Sequence, residues 1–158
     1  MAKRYIAWRR LDGISGHEMG RILLAELYQC HVGGEMPAIA VAPMGKPYFV
    51  DSPWYFSISH SKGHAFCVLS EAPVGIDGEE MDRKIRPGMA EKLLSPGELA
   101  QWQAAEDKNR AMLTFWVLKE AAAKQTGQGI RIHPGFTDFS LSDSRVQEID
   151  GCIVAIVE

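Results

Sequence analysis

The stretch V-G-I-D-G-E-E, Val74 to Glu80, places a short apolar run directly before three acidic residues. Asp77 and Glu79 are two positions apart, and on an extended strand such side chains point to the same side. Two carboxylates on one side repel each other unless a cation joins them. Magnesium is a hard cation that takes oxygen ligands. The stretch therefore predicts a strand ending in a magnesium site or, as the alternative, a strand running into a solvated acidic turn.

The segments before this strand predict an α+β fold. Residues 15–30 carry apolar side chains three and four positions apart, which predicts a helix, and Ser15 with Glu18 has the spacing of a capping box. Y-F-S-I-S-H-S (55–61) and A-F-C-V-L-S (65–70) predict a β-hairpin. Residues 38–44 are a further strand candidate, and the segment 45–54 is expected to be a loop because glycine and proline punctuate it.

The second half of the chain repeats this order weakly. Short helices are expected between 85 and 104, and a longer helix from about Lys108 to Gln125. F-T-D-F-S-L-S-D (136–143) and G-C-I-V-A-I-V-E (151–158) then predict a second strand pair. We interpret the repeat as two similar α+β lobes related by a pseudo-twofold, residues 1–73 and 74–158.

Composition limits the function classes. Hydrophobic residues are 46%, charged residues 23% and the formal net charge is −3, as in an ordinary soluble protein with no general affinity for nucleic acid. The three cysteines are odd in number and include no C-x-x-C, so neither a disulfide framework nor a zinc site is expected. No secretory signal and no membrane-spanning run are expected. We therefore expect a cytoplasmic monomer. The basic N-terminus, with Arg9 and Arg10, is either a solvated arm or a small anion site.

The predicted helix near the C-terminus carries a second group of charged residues. In F-W-V-L-K-E-A-A-A-K, Trp116, Glu120 and Lys124 are spaced four apart and share one face. They are either an exposed ion pair on a surface helix or a third magnesium ligand, Glu120, with a phosphate-binding lysine, Lys124. In G-K-P and S-I-S-H-S, Lys46 beside the rigid Pro47 could present a cation to a phosphate, whereas a lone His60 is more often structural.

The order of these motifs resembles the 4'-phosphopantetheinyl transferase superfamily: G-K-P, F-S-I-S-H-S, V-G-I-D-x-E and W-x-x-K-E-A-x-x-K, from about Gly45 to Lys124. The mid-chain metal motif resembles the two-lobed, synthetase-activating type. The resemblance implies two α+β lobes with coenzyme A bound between them. It implies transfer of phosphopantetheine from coenzyme A to a serine of an acyl or peptidyl carrier protein, with release of 3',5'-adenosine bisphosphate.

The resemblance also implies roles for single residues. Asp77, Glu79 and Glu120 would bind magnesium, and Glu120 would be the base for the carrier serine, directly or through water. Lys124 would contact the pyrophosphate. The expected contacts of the 3'-phosphate and adenine are Lys46, Pro47, Ser59 and His60, and further phosphate contacts are expected from Arg9, Arg10 and Arg21.

Some features depart from the family pattern, and alternatives stay open. Typical two-lobed members are longer, and they have isoleucine or valine where this chain has Gly78. Because a glycine spacer need not disturb its neighbours, we expect Gly78→Ile to preserve activity. The alternatives are a non-catalytic relative that binds coenzyme A or a carrier protein, and an unrelated magnesium-dependent phosphohydrolase. Residues 81–96 are either a carrier-docking surface or an ordinary amphipathic connector.

Overall fold

The computed structural model describes residues 2–86, 88–127 and 138–158. The strands in these ranges are β1 Arg4–Arg10, β2 Ile39–Val41, β3 Pro47–Phe49, β4 Tyr55–His60, β5 His64–Ser70, β6 Gly75–Glu80, β7 Val146–Ile149 and β8 Cys152–Val157. The helices are α1 Gly16–His31, α2 Gly88–Leu93, α3 Pro96–Ala104 and α4 Lys108–Thr126.

Two antiparallel sheets with the same strand order form the β structure. Sheet I has the order β1-β5-β4 and sheet II has the order β6-β8-β7, while β2 and β3 form a separate hairpin. In each sheet the first strand is followed by a long helix and then by a hairpin, whose last strand pairs with the first. Asp77 lies opposite Ala155 in this register, and Ala7 lies opposite Cys67. The mixed α+β class is confirmed, whereas the pseudo-twofold and the boundary at residues 73 and 74 stay predictions.

The two sheets pack between two helices. Helix α1 covers one face of sheet I, where Leu23 and Leu24 are fully buried. The other face of sheet I packs through Phe66 on the Ile76 face of sheet II. Helix α4 covers the opposite face of sheet II and contacts Ile153. Burial of each such side chain stabilises the fold by about 1.5–3 kcal/mol, so these layers fix β6 between the two halves of the core.

Local sequence signals explain where the helices and turns lie. The Ser15 hydroxyl caps α1 by accepting from the Glu18 N–H at 3.1 Å. Ser95 and Glu98 form a reciprocal capping box at α3. Helix α4 ends at Gly127, whose φ of 74° is left-handed and suits glycine. Asp150 and Gly151, with φ of 47° and 76°, form the two-residue turn between β7 and β8.

Two expectations about secondary structure were wrong, and strand β1 was not expected. The basic N-terminal segment is strand β1, because it pairs along its whole length with the buried strand β5. Residues 47–49 form β3 within the expected loop. Residues 138–143 are not a strand: the Phe139 backbone bonds to Glu98 and Gln101 of α3, so β7 begins only at Val146. The first two residues of that expected strand, 136 and 137, lie outside the described residues.

The described helices carry no candidate membrane span. Across residues 2–86, 88–127 and 138–158, each helix is too short or too polar to cross a bilayer.

Candidate functional site

Asp77 is a buried carboxylate at the junction of the two sheets. It lies on β6 and is 6% exposed. Its Oδ1 accepts from the Ser59 hydroxyl at 3.0 Å and from Lys124 Nζ at 3.3 Å. Its Oδ2 is buried and has no hydrogen-bond partner among the described residues. Burial raises the pKa of Asp77, although Lys124 and Ser59 oppose the shift. One carboxylate oxygen is therefore free to bind a group other than those in residues 2–86, 88–127 and 138–158.

Lys124 joins α4 to both sheets. Its ammonium group donates to the carbonyl oxygen of Ile58 on β4 at 3.1 Å and to that of Ile76 on β6 at 3.0 Å. It also makes the ion pair with Asp77. Lys124 therefore points into the junction between the sheets, and its ion pair is with Asp77 instead of the surface pair with Glu120 that was one reading of the sequence.

Two serines on β4 satisfy the free edge of β6. The Ser57 hydroxyl accepts from the Ile76 N–H at 3.1 Å, and the Ser59 hydroxyl accepts from the Gly78 N–H at 3.1 Å. Buried N–H groups without partners are costly, so these bonds hold the edge strands of the two sheets together. Ser59 was expected to contact a phosphate, and no role was expected for Ser57. The period-2 spacing of the serines was the signal for this contact.

Glu79 and Glu120 extend the acidic group around Asp77. Glu79 Oε1 accepts from Arg83 at 2.5 Å, and the Arg83 guanidinium lies over the Trp116 ring at 5.4 Å. Burial, and then the charge of Asp77, raise the pKa of both Glu79 and Glu120. The negative charge of Asp77 therefore acts on Glu79 along β6 and on Glu120 across to α4.

The donors around Asp77 fit a divalent cation. A positive charge would give Asp77 Oδ2 a partner. It would also offset the repulsion that Asp77 exerts on Glu79 and Glu120. The ligand atoms are not tightly gathered, since the described residues contain one cluster with all ligand atoms within 4.8 Å and it is a different one, His64, Glu80 and Cys152. Magnesium usually keeps several waters and takes few protein ligands, so a loose set suits it.

A cleft lies beside this acidic group. Its volume is about 230 Å³, and both Lys46 and Lys124 line it together with Glu120. Lys46 Nζ donates to the carbonyl oxygens of Val74 at 3.1 Å and Gln125 at 3.3 Å. Burial, and then the charge of Lys124, lower the pKa of Lys46. Two partly buried ammonium groups facing one cleft favour an anionic ligand there.

Of the other residues predicted to contact coenzyme A, Pro47 lines this cleft, whereas His60, Arg9 and Arg10 lie apart from it or are paired elsewhere. His60 lines a separate surface pocket with Glu79 and Arg83. Arg9 is paired with Glu26 at 2.7 Å, and Arg10 is paired with Asp150 at 2.7 Å. Pro47 lies in β3 on the rim of the Lys46 cleft. Whether any of them contacts a ligand stays a prediction.

Gly78 lies in a tightly packed position, a constraint that the expectation for Gly78→Ile did not include, and whether that variant preserves activity stays a prediction. A Cβ atom at this position would lie 2.5 Å from Phe66 Cε2 and 2.8 Å from Cδ2. Phe66 is fully buried in the core between the two sheets, so its ring has no free space to enter. The glycine spacer therefore lets the sheets approach each other and is not a passive gap between two ligands.

Sequence reasoning also missed a buried ion pair next to Glu120. Lys119 Nζ lies 2.7 Å from Glu98 Oε1, and Glu98 is fully buried. The same carboxylate accepts from the backbone N–H groups of Ser95 and Phe139, each at 3.0 Å. This pair fixes α3 on α4 and thereby the position of the helix turn that carries Glu120.

Comparison with known proteins identifies the family. The sequence profile of the 4'-phosphopantetheinyl transferase superfamily matches residues 73–152, which contain β6, α4 and the acidic group. The chain is 34% identical over 120 residues to 4'-phosphopantetheinyl transferase psf-1 of Bacillus pumilus, a match that covers 70% of this chain and 51% of that protein. It is 38% identical over 94 residues to 4'-phosphopantetheinyl transferase gsp of Aneurinibacillus migulanus, covering 56% of this chain and 37% of that protein.

The matches to these two proteins thus cover at most about half of their lengths. The profile match nevertheless covers half of this chain and contains all three residues of the acidic group, Asp77, Glu79 and Glu120. The chain therefore belongs to the 4'-phosphopantetheinyl transferase superfamily.

Proposed function

We propose that the chain transfers 4'-phosphopantetheine from coenzyme A to a serine of an acyl or peptidyl carrier protein. The transfer depends on magnesium and releases 3',5'-adenosine bisphosphate. The observation that carries the proposal is the buried Oδ2 of Asp77, which has no hydrogen-bond partner among the described residues. The charge of this carboxylate acts on Glu79 and Glu120, and Glu120 lines a cleft together with two lysines. Family membership supplies the reaction class.

The acidic group is the proposed metal site. Asp77, Glu79 and Glu120 would hold magnesium together with the pyrophosphate of coenzyme A. When bound, magnesium supplies Lewis-acid stabilisation of the charge on that pyrophosphate. Arg83 holds Glu79 in the structure described here, so metal binding would compete with this ion pair.

Glu120 is the proposed base. A serine hydroxyl is a weak nucleophile unless a positioned group takes its proton. Burial, and then the charge of Asp77, raise the pKa of Glu120 toward the range in which a carboxylate accepts a proton effectively. Glu120 would take the proton directly or through a water molecule.

The two lysines of the cleft are the proposed anion contacts. Lys124 would contact the pyrophosphate, and Lys46 with Pro47 would contact the 3'-phosphate and adenine region of coenzyme A. Both ammonium groups are already oriented by backbone carbonyl oxygens, so little side-chain entropy is lost when an anion binds. Ser59, His60, Arg9 and Arg10 are the further proposed coenzyme A contacts, in a chain proposed to act as a cytoplasmic monomer of two lobes.

Mass spectrometry of an apo carrier protein tests the proposal. Incubation with coenzyme A, magnesium and this protein should add one phosphopantetheine group to the carrier. Asp77→Asn and Glu120→Gln keep the side-chain shape and should reduce the rate by at least a hundredfold. Glu106→Gln, exposed between α3 and α4, is the matched control and should leave the rate unchanged.

The non-catalytic alternative gives a different result. A relative that only binds would take up coenzyme A, seen by calorimetry, and leave the mass of every carrier unchanged. Hydrolysis of coenzyme A without any carrier would favour the phosphohydrolase reading instead.

A further inference from the structure

A cluster of a histidine, a glutamate and a cysteine lies on the opposite face of β6 from Asp77. The ligand atoms of His64 on β5, Glu80 on β6 and Cys152 on β8 all lie within 4.8 Å of one another. We propose that these three residues bind a zinc-like transition-metal ion at a site separate from the acidic group of Asp77. The site would join sheet I to sheet II, because β5 belongs to one sheet and β6 and β8 belong to the other.

The outer contacts of His64 are those of a metal-bound histidine. Its Nδ1 faces Glu80 Oε1 at 3.1 Å, and its Nε2 lies 2.9 Å from Asp150 Oδ2. Metal-binding histidines usually donate their second ring N–H to a carboxylate, which fixes the ring and leaves the first nitrogen free for the metal. Arg10 holds Asp150 with two bonds of 2.7 and 2.8 Å. Asp150 and Arg10 therefore already hold the His64 ring in place when no metal is bound.

Glu80 is held in place on the ligand side. Its Oε1 accepts from the Ser61 hydroxyl and from the Gly63 N–H, both at 2.7 Å. The same residue lines an open surface pocket of about 550 Å³, which provides a path for an ion from solvent. Ligands of tetrahedral zinc are about 3.3–3.8 Å apart. His64 Nδ1 and Glu80 Oε1 are already 3.1 Å apart, and all three ligand atoms lie within 4.8 Å of one another, so small side-chain shifts are enough to surround an ion.

The donor set selects the class of metal. Nitrogen, sulfur and one carboxylate oxygen suit zinc and cobalt, whereas magnesium prefers oxygen alone. The Cys152 thiol is fully buried among acidic neighbours and is neutral without a cation. On binding, the Cys152 thiol and Nδ1 of a protonated His64 each release a proton to solvent, and the thiolate and Nδ1 form bonds to the metal. The second His64 proton stays on Nε2 beside Asp150. The absence of a C-x-x-C motif hid this site from the sequence, because its ligands come from three separate strands.

Cobalt titration of the metal-free protein, followed by zinc competition against a chromogenic chelator, tests the site. One equivalent should bind with a thiolate-to-cobalt charge-transfer band in the near ultraviolet. Cys152→Ala should abolish that band and weaken zinc binding at least tenfold. His64→Gln should weaken zinc binding similarly, and it provides a second test if Cys152→Ala does not fold. Cys30→Ser removes an exposed thiol outside the cluster and is the matched control.

Asp77→Asn separates this site from the proposed magnesium site. It should leave the cobalt band and the zinc affinity unchanged, whatever it does to phosphopantetheine transfer. The proposal is overturned if cobalt binds without a thiolate band, if zinc affinity is the same in wild type and both ligand variants, or if no equivalent binds at micromolar concentration.

Discussion

Lys124 Nζ lies 3.3 Å from Asp77 Oδ1 while it also donates to the carbonyl oxygens of Ile58 and Ile76, which lie on different sheets. A single ammonium group therefore compensates a buried carboxylate and joins β4 to β6. Its removal leaves the Asp77 charge without its nearest cation and leaves two carbonyl oxygens without a donor.

Lys124→Met should destabilise the protein by about 1–3 kcal/mol, the usual cost of leaving buried polar partners unsatisfied. Because the cost comes largely from the Asp77 charge, the same substitution should cost less in an Asp77→Asn background. Urea denaturation of the four proteins in this double-mutant cycle measures the coupling. Lys92→Met on the exposed face of α2 is the control and should change the free energy of unfolding little. Additive effects of Lys124→Met and Asp77→Asn would contradict the coupling.

Gly78→Ala should destabilise the protein by about 1–3 kcal/mol, because the added methyl group overpacks the core between the sheets. The Cβ would lie 2.5 Å from the Phe66 ring. Thermal denaturation measures the loss, and Phe66→Leu in the same chain should recover part of it. Gly88→Ala is the matched control, since its Cβ would have no neighbour within 4 Å at the start of α2. A Gly78→Ala protein as stable as wild type would show that the sheets separate easily.

The sequence predicted the elements whose patterns are local. Helices α1 and α4 follow from apolar spacing with a capping serine and a terminal glycine, and the β4–β5 hairpin follows from alternation. The side-by-side placement of Asp77 and Glu79 follows from the period of a strand. These features depend on residues close together in the chain, so their physical causes can be read from a short window.

Contacts between distant segments could not be predicted in this way. Strand β1 is basic and exposed on much of its surface, so its sequence has no clear strand pattern. Its extended conformation follows from its pairing with β5. Gly78 on one sheet packs against Phe66 on the other. The distance between the two sheets cannot be read from the sequence. Phe139 continues an apolar alternation that favours a strand, yet tertiary bonds to Glu98 and Gln101 override it.

Glu98→Gln should destabilise the protein by about 1–3 kcal/mol, since it leaves the partly buried Lys119 charge and a buried backbone N–H without their full partner. The Glu98 carboxylate is fully buried and serves three donors, Lys119 and the N–H groups of Ser95 and Phe139. The glutamine side chain has a single acceptor oxygen, so it cannot accept from all three donors. Urea denaturation measures the change, and Lys119→Met in the Glu98→Gln chain should restore part of the stability. Equal losses in the single and double variants would contradict the unpaired-charge explanation.

The stability of the protein should depend on pH through Glu80 and His64 in opposite directions. Burial raises the pKa of Glu80, but bonds from Ser61, His64 and the Gly63 N–H outweigh it and lower the pKa from 4.5 to about 2. A carboxylate with a lowered folded pKa stabilises the fold above its unfolded pKa, and this contribution is lost as pH falls from 4.5 toward about 2.

The pKa of His64 shifts in the opposite direction, so its contribution to stability has the opposite pH dependence. Burial lowers the pKa of the His64 ring. The bonds to Asp150 and then to Glu80 raise the pKa by more than burial lowers it, so the net shift from 6.5 is upward. Its contribution is therefore complete below pH 6.5 and is lost as pH rises through the folded pKa. The cluster should stabilise the protein most between the unfolded pKa values of Glu80 and His64, 4.5 and 6.5.

Urea denaturation of wild type and Glu80→Gln across this range separates the two effects. The stability difference between them should be largest near pH 5–6 and should shrink toward pH 3, because below pH 4.5 the unfolded chain takes up a proton at Glu80 whereas the folded chain does so only at about pH 2. Glu91→Gln, exposed on α2, should show no such pH-dependent difference. A wild-type advantage that grows as pH falls below the unfolded pKa of Glu80 would contradict the sign of its shift.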